Sequence, residues 1–460
     1  MSDYKLKYNK YKLKYLKLKS QIGGFSNEEE KKPITDTLLS TQNTLKNDYD
    51  EFIPFEVVIN MTPDDKKKVN KLIIINITQL KTLKESKNEY LNLQEIAFDD
   101  SYDHPLTVGD LPYTLKILTF GSKFNQPLIE GILPSSLTEL TFGSKFNHPI
   151  SKNILPTSLT KLTFGILFDQ PLIKGILPSG LTKLTLSSKF NQPLIEGILP
   201  SSLTELTFGS KFDQPLIKGI LPSGLTKLTF GTQFNQSLSK NVLPASLTEL
   251  TFSMFSKFNQ PLIKGDLPTS LTKLIFGDKF NQSLEVGVLP ANLTTLTLGN
   301  EFNQPLGVGT LPVSLTKLIF RMFSEFNQPL IEGVLPTSLT ELTFGNYSKF
   351  NQPLAKGVLP TSLTKLTFGF IFNQTIKPDD LPNGLTSLTF GHYFNNGGKP
   401  LTQNVLPSTL VSLHFINNDD SMYYTILLAA DITTKMIATD ITTKFTSQYD
   451  AQSRKMSFTR

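Results

Sequence analysis

Residues 133–154 read LPSSLTELTFGSKFNHPISKNI, and the run Leu137-Thr-Glu-Leu140-Thr-Phe142 inside them decides the fold. Apolar groups fall at its first, fourth and sixth positions. Leu140 and Phe142 alternate with Glu139 and Thr141, as a strand with one buried face requires. This LxxLxL spacing is that of a leucine-rich strand. It recurs fourteen times, from Leu115/Leu118/Phe120 to Leu410/Leu413/Phe415, and Leu93/Ile96/Phe98 fits as a fifteenth.

The period is fixed by the dipeptide Leu-Pro. Its proline stands at 112, 134, 156, 178, 200, 222, 244, 268, 290, 312, 336, 360, 382 and 407. Most steps are 22 residues, three are 24 and the last is 25. Residues 122–146 are identical to residues 188–212, which points to duplication. One short strand per turn, stacked in register, predicts a mainly β solenoid of the leucine-rich-repeat kind. It would carry a long parallel sheet of about 14–15 turns. Two prolines per unit, such as Pro127 and Pro134, remove N–H donors and leave little helix in the return path.

Two further positions carry conformational information. The Phe-Asn pair after each strand (Phe124-Asn125, Phe190-Asn191, Phe350-Asn351) supplies a second inward aromatic. Its Asn is replaced by Asp at 169 and 213, so the shared task is accepting a backbone N–H. Three residues before each Leu-Pro proline stands Gly in ten units, Asn at 153, 241 and 404, and Asp at 379. All tolerate positive φ, which predicts a left-handed residue in every turn.

The stretch FNQPLIEGILPSSLTELTFGSKFN resembles the FNIP repeat, a leucine-rich-like unit abundant in slime moulds and in giant viruses of amoebae. The chain has FNQP where the family name suggests FN-I-P. The likeness covers roughly residues 91–415. KYNKYKLKYLKLKSQIGG near the start is similar to a Lys/Tyr-rich N-terminus common among mimivirus-type proteins. The resemblance implies an interaction module with no catalytic residue to carry over. In related proteins an F-box sometimes precedes the repeats, which implies an adaptor for ubiquitin ligation. Residues 52–63 bear a faint likeness to one, without its leucine-rich pattern or its tryptophan.

Four regions follow: a basic arm at 1–24, a linker and N-terminal cap at 25–90, the repeats at 91–415, and a C-terminal cap and tail at 416–460. The arm spaces Tyr4, Tyr8, Tyr11, Tyr15 and Leu18 as a heptad stripe among lysines. Residues 1–20 hold seven Lys against one Asp, and the whole chain has net charge +6, so the rest is neutral. Any anionic membrane or nucleic acid would therefore be met through residues 1–20, and a virion or membrane-associated structural protein anchored by this arm is a further reading. The alternative is a solvated arm. The N-terminus lacks the apolar core of a signal peptide, and no apolar run is long enough to span a bilayer. With no Cys, these features predict an intracellular, non-secreted protein.

No motif for phosphate, dinucleotide or nucleophilic chemistry occurs. The four histidines, at 104, 148, 392 and 414, fall on different turns with no metal-ligand spacing. No cofactor, metal or small-molecule substrate is expected, and the chain reads as a non-enzymatic scaffold for a protein partner. A charge column on the strand face (Glu139, Lys161, Lys183, Glu205, Lys227, Glu249, Lys273, Thr295, Lys317, Glu341, Lys365) mixes signs, so it reads as a register-pinning ladder. A second column (Glu130, Lys152, Lys174, Glu196, Lys218, Lys240, Lys264) reads the same way. The candidate binding residues lie in the three two-residue insertions, at Met254, Phe255, Met322, Phe323 and Tyr347. Length changes in a solenoid emerge as loops on one edge, and such aromatics and methionines suit an interface. The alternative is that they tuck into a larger core.

Overall fold

The computed structural model describes residues 52–86, 89–396, 401, 405–416 and 423–427. The basic arm, with its tyrosine stripe, lies outside them, as does Asn404. The chain divides into two compact units, Met1–Ser187 and Ser188–Arg460.

Unit 1 opens with β1 (Ile53–Pro54) and two single-turn helices, α1 (Phe55–Val58) and α2 (Pro63–Lys66). Then come β2 (Lys71–Ile74) and α3 (Ile77–Glu85). The repeat strands follow: β3 (Glu95–Phe98), β4 (Ile117–Thr119), β5 (Glu139–Thr141), β6 (Lys161–Thr163) and β7 (Lys183–Thr185). All pair in parallel, in chain order. Among the described residues, α-helix is confined to the segment before β3.

In KLIIINITQL the strand ends after four residues, because Asn76 caps a helix. Its Oδ1 accepts the Gln79 N–H at 3.0 Å. β2 also joins the parallel ladder, with Lys71 opposite Glu95 and Ile74 opposite Phe98. Val69, Leu72 and Ile74 are fully buried with the LxxLxL spacing, so the repeat pattern begins one strand earlier than it reads in the sequence.

Unit 2 holds β8 (Glu205–Thr207), β9 (Lys227–Phe230), β10 (Glu249–Phe252), β11 (Lys273–Ile275) and β12 (Thr295–Leu298). It continues with β13 (Lys317–Phe320), β14 (Glu341–Phe344), β15 (Lys365–Thr367), β16 (Ser387–Phe390) and β17 (Ser412–Ile416). These again pair in parallel, in chain order. The last strand, β18 (Tyr423–Leu427), reverses direction and lies antiparallel on β17.

The core of each turn is built from the residues that the pattern picks out. Leu137, Leu140, Phe142 and Phe146 are all buried. Phe142 and Phe146 stack at 4.0 Å within one turn, and each meets its counterpart in the next, Phe164 at 5.5 Å and Phe168 at 6.2 Å. Burying a Phe side chain contributes about 1.5–3 kcal/mol, and from β4 to β16 every turn buries at least two except where Leu186 and Leu298 replace the strand aromatic.

The Asn after the second Phe joins one turn to the next. Asn125 Oδ1 accepts the backbone N–H of Asn147 at 3.0 Å, and Asn147 Oδ1 that of Asp169 at 2.9 Å. In unit 2 the same bond links Asp213 to Asn235, Asn259 to Asn281 and Asn351 to Asn373. The acceptor role that the Asp replacements implied is met, between turns rather than within one.

The return path ends in a β-turn. Ile132 N–H donates to Ile129 O at 3.3 Å, with Gly131 at φ +84°. That is the type II geometry, in which the third residue is left-handed. The equivalent residue has positive φ at all thirteen described positions, including Asn153, Asn241 and Asp379 at 67–69°. A second glycine position, just after the strand, has a different cause. A β-carbon on Gly143 would lie 1.8 Å from the Gly121 carbonyl oxygen of the preceding turn.

Asn259→Ala strips the Asn281 N–H of its acceptor and is expected to cost about 1–3 kcal/mol in urea unfolding. Asn259→Asp keeps the acceptor and should unfold close to wild type. Equal losses in the two variants would remove the ladder's role. Gly143→Ala should cost about 3 kcal/mol, because the clash is with backbone that cannot yield. Gly131→Ala, whose new methyl meets only the Val108 side chain at 3.5 Å, should cost about 1–2 kcal/mol from its left-handed φ. Thermal melts of the pair check the order.

Candidate partner-binding edge

Three surfaces of the coil carry exposed side chains: the strand face, the loops after the strands, and the type II turns that end the return path. On the strand face the predicted column is largely self-satisfied. Lys161 pairs with Glu139 at 2.9 Å, Lys227 with Glu249 at 3.2 Å, and Lys317 and Lys365 bracket Glu341 at 2.9 and 3.3 Å. Partial burial works to raise the Glu341 carboxyl, but hydrogen bonds and charge from the two lysines outweigh it and hold it below the ordinary carboxylate range. The column along the type II turns behaves differently. Among the described residues, Lys152, Lys174, Lys218, Lys240 and Lys264 form no ion pair.

The insertion loops stand at the C-terminal ends of β10, β13 and β14. Each keeps its register with a buried serine, Ser256, Ser324 or Ser348. The serine Oγ accepts the N–H of the following core phenylalanine at 3.2–3.3 Å. The extra residues are thereby pushed outward. Met254, Phe255, Met322, Phe323 and Tyr347 are 42–70% exposed, so they do not enlarge the core.

Phe323 and Tyr347, on adjacent turns, stack at 5.1 Å with their planes 12° apart. Tyr347 also meets the buried Phe370 edge-on at 4.9 Å. Met322 flanks this pair, while Met254 and Phe255 sit three turns earlier. Exposed Ile371 and Tyr393 continue the surface over the next two turns. Neither residue was singled out by the length changes. Their signal was positional, since they occupy the same slot between strand and Phe-Asn in units of ordinary length.

Electrostatically this edge holds one unusual pair. Arg321 stands in the slot that is Gly in most turns and reaches back two turns, its Nε donating to Phe276 O at 3.1 Å. Burial lowers the Arg321 pKa, opposed by the charge of Asp278. Burial likewise raises the Asp278 carboxyl, with Arg321 opposing, and its Oδ1 is buried with no hydrogen-bond partner.

The histidines remain scattered. His148 Nε2 contacts Asn125 O at 2.9 Å from the Gln slot, and His104 packs edge-on against Tyr102. Burial lowers the His414 pKa. Among the described residues, no three His, Asp or Glu converge on a point that could hold a metal. No helix among them is long and apolar enough to cross a membrane.

The geometry can be set beside known proteins. The FNIP Repeat family matches residues 124–166, 168–211, 212–255, 258–301, 302–347, 326–370 and 372–418. Among solved structures, the chain is similar to CroV588, a circular LRR protein from the giant virus CroV. The two are 37% identical with a TM-score of 0.58 over 76% of this chain, which spans 60% of that protein's length. The Toll–Spatzle complex of Drosophila aligns at 14% identity with a TM-score of 0.46, over 78% of this chain and 57% of the other. No curated protein matches the chain. The family segments together cover more than half of the residues, each spanning strand, Phe-Asn loop and Leu-Pro turn, and on that ground the chain belongs to the FNIP repeat family.

Proposed function

We propose that this FNIP array is a non-enzymatic protein–protein interaction scaffold. Its contact surface would be the insertion edge of Met322, Phe323, Tyr347, Ile371 and Tyr393. The observation that carries this reading is the exposed stack of Phe323 on Tyr347. These rings pack on each other and on Phe370 yet leave 42–55% of their surface in water, and contiguous apolar patches of this kind mark interaction sites. Aromatic residues are also the anchors that dominate binding energy at interfaces.

The support beneath the edge favours the same reading. Each loop grows from a strand fixed on both sides by its neighbours, so the aromatic tips are held in place before any partner arrives. A rigid scaffold carrying variable loops is a common way to present binding residues. The strand face is the weaker candidate, because Glu139, Glu249 and Glu341 already have their lysines.

The Phe323→Ala/Tyr347→Ala double variant, used as bait in quantitative affinity capture, is expected to lose its specific partner by about 10-fold or more. Its melting temperature should fall only slightly, since the two rings pack chiefly on each other and on Phe370 at the edge of the core. Capture of the same proteins in the same amounts by both baits would sink the proposal.

A further inference from the structure

Each insertion is a β-turn with the inserted pair at its two corners. Ser256 N–H closes on Ser253 O at 3.0 Å, Ser324 N–H on Arg321 O at 3.1 Å, and Ser348 N–H on Gly345 O at 2.9 Å. The corners are Met254-Phe255, Met322-Phe323 and Asn346-Tyr347. The first residues of the three turns differ in what they can hold. Gly345 has no side chain, and the Ser253 Oγ is buried with no hydrogen-bond partner among the described residues. Arg321 carries its side chain to a fixed point, the Phe276 carbonyl two turns back.

Two strand spacings come to roughly 10 Å, so this tie needs a long side chain with a donor near its end. The turn between has Gly299 in the same slot, with no side chain to stand in the way. Arg321 and Asp278 are both partly buried, and each offsets the cost of burying the other's charge. The Arg321 loop also carries the backbone of the ring stack. Phe323 N–H donates to Asn300 Oδ1 at 3.1 Å, and Met322 O accepts Tyr347 N–H at 2.8 Å from the next turn. A shift of Arg321 therefore moves the support of both rings.

We propose that Arg321 is the positioning residue of the insertion edge. Its guanidinium, tied to Phe276 O, holds the loop so that Phe323 stacks on Tyr347. With glycine in the slot, as in most turns, the loop keeps its closing bond and loses its side-chain anchor. The stacked arrangement then becomes one of several. The consequence for binding rests on the reading of this edge as the contact surface. A ring already held in place meets a partner without first giving up its freedom.

The chain contains no tryptophan, so Tyr347→Trp places a lone reporter in the stack. Asp278→Asn accompanies each change at 321, so that no partly buried carboxylate is left without its counter-charge. In the full chain, Asp278→Asn alone should leave the reporter's emission and its quenching by acrylamide as they are. Adding Arg321→Gly or Arg321→Met should shift the emission to the red and increase the quenching. Arg321→Met keeps an apolar stem and lacks the donor. If it quenches like Asp278→Asn alone, the Nε bond does not hold the loop and the proposal is overturned. With Tyr347 restored, the Asp278→Asn/Arg321→Gly bait should capture the partners that need Phe323 and Tyr347 about tenfold less than the Asp278→Asn bait, as expected when one charge-assisted hydrogen bond no longer holds the competent loop. A lowered melting temperature with the reporter unmoved would assign Arg321 to the fold and overturn its positioning role. Increased quenching beside undiminished capture by the Phe323→Ala/Tyr347→Ala bait would sink the contact surface and leave the brace standing. Unchanged quenching sinks the brace, whatever the baits capture.

Discussion

Most turns present two phenylalanine rings, one from the strand and one from the loop that follows, and have too few residues to cover either. Only the turns on both sides exclude water from them. Phe142 and Phe146 are buried because Phe120 and Phe124 lie below them and Phe164 and Phe168 above. Stability in such a chain is a sum over neighbours rather than the property of one core. The polar bonds follow the same rule. The parallel ladder, the Asn-to-backbone bond and the Thr hydroxyls that reach the preceding turn, as Thr160 Oγ1 to Thr138 O at 3.1 Å, all run between adjacent turns.

That dependence on neighbours is why so much was legible in the sequence. A residue whose only partners sit one period away must recur with that period. The LxxLxL strand, the second aromatic, the left-handed Gly, Asn or Asp, and the acceptor role of Asn125 and Asp213 were all readable on that basis. The glycine after the strand recurs just as regularly, yet its cause could not be read. The close approach of Gly143 to the Gly121 carbonyl depends on how tightly turns nest, and periodicity does not report nesting distance. The helix from Ile77 was hidden for another reason. It lies outside the period, and the apolar run before it continued past the cap at Asn76.

The candidate site was legible in part. Insertions pointed to Met322, Phe323 and Tyr347 because a length change is visible against a fixed period. Ile371 and Tyr393 add to the same surface without changing any length, so only their exposure reveals them. The exposed aliphatic residues of the type II turns, such as Ile195, escaped for a subtler reason. PLIEGILP reads as one apolar run broken by a charge, yet Leu194 and Ile198 turn inward while Ile195 between them turns out. The type II turn makes that division, and its left-handed glycine sets which side chain is left outside.

The Asn ladder has a direction. Asn259 Oδ1 receives from Asn281, and the Asn259 N–H gives to Asn235, so each unit needs one donor ahead and one acceptor behind. Any unit with Asn or Asp in that slot meets the need, whatever the rest of its sequence. A copied unit can therefore be spliced between two existing ones and leave every bond count unchanged. The verbatim copy shared by residues 122–146 and 188–212 is what such splicing leaves behind. Array length becomes a quantity that evolution can adjust in whole steps, while loop chemistry is edited one turn at a time.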